Sequence, residues 1–81
     1  MFDNKFFINL YILVLDKNFE IFIPVDEKVG NIIKLIENSL DGITLKNNSN
    51  VLMSLLDGTM YNNNDIIRNT NIRNGTRLIL I

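Results

Sequence analysis

The chain has 81 residues, 47% of them apolar and 21% charged, with a formal net charge of -1. That length holds one core, so residues 1–81 are read as a single domain; the apolar share excludes a disordered chain, and the near-neutral charge gives no long-range pull on nucleic acid. Cysteine and histidine are absent, which excludes disulfides, thiolate chemistry, Cys/His zinc sites and a histidine general base.

The bulky side chains are 13 Ile, 11 Leu and 5 Phe, with no Ala, a mixture that favours strands. Residues 5 to 15 read as a first strand. Phe6, Ile8, Leu10, Ile12 and Val14 form its inward set, and the odd positions face out. The uncharged run Phe6 to Leu15 is too short to span a bilayer, which takes about 20 residues, and no cleavage site follows it. A cytoplasmic protein without membrane insertion is expected. Asp16-Lys17-Asn18 reads as a tight connection into a second strand, Phe19 to Ile23, with Phe19, Ile21 and Ile23 inward, and the two strands form an antiparallel hairpin. Pro24 closes it.

Val29, Ile32, Ile33, Ile36 and Leu40 then make one helical stripe. Asp26 is the expected cap, Gly30 weakens the first turn by about 1 kcal/mol, and Asp41-Gly42 is the expected stop. Val51 to Leu56 reads as a third strand of unassigned register. Asp57-Gly58 turns the chain into a short strand, Thr59 to Tyr61. Asp65 to Arg68 reads as one helical turn capped by Asp65, Asn74-Gly75 as a tight turn, and Arg77 to Ile81 as the last strand.

This order predicts an α+β fold, a β-grasp: a mixed sheet of four to five strands with one helix packed across it. The first and last strands should pair in parallel at its centre. In element order and apolar spacing the whole chain resembles ubiquitin. The segments Ile21-Phe22-Ile23-Pro24, Val29 with Ile32-Ile33, and Ile72 through Asn74-Gly75 to Ile81 resemble bacterial ubiquitin-like proteins of the YukD/EsaB type. That resemblance implies an accessory or regulatory part in a type VII secretion system, with secretion-machinery proteins as partners. Ubiquitin and its sulfur-carrier relatives work through a free diglycine tail. This sequence stops at Ile81 inside the predicted last strand, so conjugation and sulfur carriage are not expected. A degenerate carrier and a structural homo-oligomer are the alternatives.

The nine acids fall mostly in turns and caps, and Ser39, Ser49 and Ser54 lack a histidine to activate them, so no catalytic group is assigned. Asn62-Asn63-Asn64-Asp65 lacks the spaced acids of a calcium loop, and no metal or cofactor is expected. Arg68, Arg73 and Arg77 lack interleaved aromatics, so no nucleic acid is expected. The strongest lead is the sheet face away from the helix. Phe7, Tyr11, Leu13, Leu15, Phe22, Ile79 and Ile81 are expected there as a continuous apolar patch. Either the chain covers it, or it docks a protein partner or a second copy. Tyr11, Phe22 and Arg77 are the expected anchors.

Overall fold

The computed structural model describes residues 4–39 and 50–81. The expected stripe position Leu40, the helix stop at Asp41-Gly42 and Ser49 lie outside the described residues.

Strand β1 spans Lys5–Ile12 and β2 spans Lys17–Pro24, paired antiparallel from Lys5↔Pro24 to Ile12↔Lys17. Period two places Ile8, Leu10, Ile12 and Ile23 in the core, with Phe6, Phe19 and Ile21 packed against it. The first strand thus ends three residues before the expected Leu15. Leu13–Leu15 form a 3₁₀ turn, and Asp16 adopts a left-handed conformation, φ 52° and ψ 47°. An apolar run in a turn mimics strand alternation; Asp is among the few residues that enter the left-handed region readily, so the Leu13–Leu15 turn and Asp16 together close the hairpin. Lys17 and Asn18 already belong to β2, and Val14 is exposed rather than inward.

Helix α1 spans Val29–Ser39 and buries Val29, Ile32, Ile33 and Ile36. Neither expected aspartate cap operates. The Val29 N–H donates to the Asp65 carbonyl at 2.8 Å, and the Gly30 N–H donates to the Asn63 carbonyl at 2.9 Å. A loop carbonyl pair therefore satisfies helix donors that a side chain usually meets. Asp26 instead pairs with Arg68 at 2.9 Å, and the Asp65 carboxylate accepts the Asn62 N–H at 3.0 Å. The 3₁₀ turn Ile67–Asn69 follows without a side-chain cap. Gly30 is explained by the same contact: a Cβ there would lie 3.1 Å from Asn63 Cβ and 3.2 Å from the Asn63 carbonyl oxygen.

Strand β3 is only Leu52–Ser54, and β4 is Thr76–Leu80. Leu52 and Ser54 are the inward pair. The expected strand at Thr59 to Tyr61 reduces to a single bridge, Met53↔Met60. Asn74-Gly75 turns as expected, with Gly75 at φ 85°, a conformation only glycine adopts without strain. The sheet order is β2-β1-β4-β3; β1 and β4 are parallel at the centre, and β3 and β4 are antiparallel. One helix packed on this four-stranded mixed sheet is the expected α+β architecture.

Candidate functional site

The two sheet edges end differently. At β3, the Ser54 N–H donates to the Thr59 carbonyl at 2.8 Å and the Tyr61 N–H to the Leu52 carbonyl at 3.0 Å, so that edge is occupied. At β2 no strand follows among the described residues. Antiparallel pairs alternate between rungs that exchange hydrogen bonds and rungs that do not. The Val25 N–H donates to the Asn4 carbonyl at 2.9 Å, which makes that rung, and every second one after it, a bonded rung. Phe7, in a non-bonded rung with Phe22, accordingly turns its backbone to the other side, where its carbonyl accepts the Gly75 N–H at 2.7 Å. The same alternation aims the N–H and C=O groups of Asn18, Glu20 and Phe22 outward at the open edge. Pro24 has no N–H and ends the row.

Beneath this edge lies an apolar groove of about 370 Å³ between β2 and α1. Phe19, Ile21 and Ile23 form its strand side; Ile32, Leu35, Ile36 and Ser39 form its helix side. Phe22 and Leu35 stand on its rim, 67% and 52% exposed. Leu35 lies off the buried helix stripe. An apolar residue in that position, off the stripe that buries α1, is the sequence signal for the groove.

The outer sheet face differs from the expected patch. Phe7 and Phe22 do meet there, ring centroids 5.3 Å apart. Tyr11 and Ile79 are neighbours in the parallel register. Between these pairs runs a polar row: Glu20 opposite Asn9, and Asn9 opposite Arg77. The apolar surface is therefore broken, not continuous. Leu13 is exposed on the hairpin turn, and Leu15 packs against the core; both leave the face because β1 ends at Ile12. Ile81 lies past β4, its N–H and carbonyl bonded to Val51 at 2.9 and 2.8 Å. Arg77 is exposed in the polar row. The Tyr11 hydroxyl donates to Asp16 Oδ1 at 2.5 Å, and that bond, with slight desolvation and the nearby negative charge, pushes the phenol pKa up.

Several acids are engaged locally. Arg68 hydrogen-bonds Asp26 and holds its carboxyl below the usual range. The Thr59 N–H, at 3.0 Å from Asp57 Oδ1, heads the contacts that lower Asp57. Glu27 accepts from Asn31 at 3.0 Å, and Glu37 accepts from Asn50 at 2.6 Å. Among the described residues no group of three or more His, Cys, Asp or Glu is placed to hold a metal, and no helix is long and apolar enough to cross a membrane.

No protein-family model and no curated protein matches this chain. Solved structures do. One, described as molecular mimicry of SUMO that promotes DNA repair, superposes with a TM-score of 0.80 at 16% identity, over 100% of this chain and 95% of its own. The ubiquitin-like domain of the Arabidopsis thaliana protein At2g32350 gives 0.75 at 11% identity, over 96% and 77%. The corresponding domain of yeast Ddi1 gives 0.71 at 10%, over 99% and 91%. The fold is the ubiquitin-like β-grasp. At such identities the ubiquitin-like likeness is one of architecture, and role must be argued from surfaces.

Proposed function

We propose that this ubiquitin-like domain is a non-catalytic protein-interaction module that receives an extended segment of a partner at the β2 edge. The observation that carries this is the open edge itself. Asn18, Glu20 and Phe22 aim backbone donors and acceptors outward, directly beside an apolar groove with exposed Phe22 and Leu35 on its rim. An added strand gains main-chain hydrogen bonds from such an edge, and its alternate side chains drop into the groove. A larger partner reaching over the outer face would also meet Phe7, Tyr11, Arg77 and Ile79. The cytoplasmic accessory role in type VII secretion is the finer reading. It rests on the resemblance of Ile21 to Pro24, Val29 with Ile32-Ile33, and Ile72 to Ile81. A neighbouring gene for a membrane-bound FtsK-type ATPase would support it, and its absence would count against it.

The docking reading is tested by NMR titration with short extended peptides carrying two Ile residues separated by one residue. The amides of Asn18, Glu20 and Phe22 should shift, and Leu35→Asp should weaken binding about tenfold while the domain stays folded by circular dichroism. Edge amides that stay still, or a Leu35→Asp variant that binds as well as the parent, would overturn it.

A further inference from the structure

The docking edge carries a charge at its centre. Of the β2 side chains on the outer face, Asn18, Glu20, Phe22 and Pro24, Glu20 is the charged one. It is exposed and has no hydrogen-bond or ion-pair partner among the described residues. Across the sheet it faces Asn9; Arg77 lies one strand further from the edge. A strand added to β2 would set one side chain beside Glu20 on the outer face. The residues before and after that one would point the other way, beside Phe19 and Ile21, over the groove.

We propose that the segment bound at the β2 edge has a basic residue flanked on each side by an apolar one, with the base opposite Glu20. This rests on the docking reading above and adds the chemistry of the partner. Opposite charges directly across a sheet attract and like charges repel. The same carboxylate argues against a second copy of this chain as the occupant. Two-fold pairing of β2 with itself through all three outward residues sets Glu20 against Glu20 and Asn18 against Phe22. Sliding by one rung in one direction sets Pro24, which has no N–H, against Asn18. Sliding the other way sets Phe22 against Asp16, whose left-handed backbone lies outside the strand. Each of these three symmetric registers is thus penalised, whereas a foreign strand with a central base is not.

The test uses two peptides of palindromic sequence, so that strand direction does not matter: Ser-Thr-Ile-Lys-Ile-Thr-Ser and the same peptide with Glu in place of Lys. The lysine peptide should bind about fivefold or more tightly than the glutamate peptide at low salt. Glu20→Lys should invert that preference, and about 1 M salt should narrow it. Equal affinities of the two peptides that shift the edge amides equally would overturn the charge proposal and leave docking intact. Edge amides unmoved by either peptide would overturn docking itself. A dimer of the unliganded protein whose interface protects the Asn18, Glu20 and Phe22 amides would overturn the exclusion of a second copy.

Discussion

The Asp26–Arg68 contact shows what a single side chain does here. The guanidinium bonds both carboxylate oxygens, at 2.9 and 3.4 Å, and ties the loop before α1 to the 3₁₀ turn at Ile67–Asn69. Both partners are exposed, so the pair is screened by solvent and its stabilising effect is small. Its signature is in titration. The folded carboxyl is held below its ordinary value, so the associated stability is present above the unfolded pKa and is lost as pH falls through the folded one. Arg68→Ala should move the Asp26 midpoint, followed by NMR, up toward an ordinary carboxylate, while Asp57 stays low because the Thr59 N–H holds it. An unmoved Asp26 would mean that the pair is open in solution. Gly30 gives a second test at this scale. Helix propensity alone predicts that Gly30→Ala stabilises by about 1 kcal/mol. The crowding against Asn63 opposes that gain, and Gly30→Ala should lower the urea midpoint, with a net loss of about 1 kcal/mol. A raised midpoint would show that the Asn63 loop moves aside freely.

The elements differ in what protects their backbone. In β2, Phe19, Ile21 and Ile23 turn their N–H groups to β1, while Asn18, Glu20 and Phe22 turn theirs to solvent. Hydrogen exchange should therefore alternate along β2, slow at the odd positions and fast at the even ones; uniform protection would mean that the edge is already covered. Glu20 is also the kind of charge that keeps an open edge from pairing with its own copies. Glu20→Thr should raise self-association in sedimentation at high concentration, and a variant as monomeric as the parent would show that Glu20 has no such role. Much of this architecture was legible in the sequence, because the alternation at Phe19, Ile21 and Ile23 and the spacing of Val29, Ile32, Ile33 and Ile36 follow directly from burying one face. Turns at Asn74-Gly75 and Asp57-Gly58 were legible because of what glycine permits. The ends of elements were not. Leu13 to Leu15 look like strand because apolar composition does not distinguish a turn, and α1 is capped by carbonyls of Asn63 and Asp65 that are remote in sequence. Leu13 and Leu15 leave the outer face for the first of these reasons, and the rest of that face is divided by the row Glu20, Asn9 and Arg77; the groove forms between two elements rather than within one.

At the scale of the whole molecule, the central contact joins the two ends of the chain. β1 and β4 lie side by side in parallel, and the described loop from Tyr61 to Ile72 is pinned through the first turn of α1 and through Ile67 and Ile72, both fully buried. No strand of this sheet is held by neighbours in sequence alone except the β1–β2 hairpin, and an isolated hairpin is marginal in water. The open edge of β2 therefore depends on β4 being in place behind β1, although β4 is not hydrogen-bonded to β2. A domain of this size has little stability in reserve, and removing a buried Leu side chain costs about 2–5 kcal/mol. Leu78→Ala, in the middle of β4, should lower the urea midpoint sharply. In a Tyr11→Phe background, where Tyr61 alone fluoresces, it should do so equally for Tyr fluorescence and for far-UV circular dichroism, because Tyr61 in the core and the strands themselves belong to one cooperative unit. If the two signals separate, with strand signal persisting after the tyrosine signal is lost, the β1–β2 hairpin holds its shape without β4, and the docking edge could then survive the loss of the core.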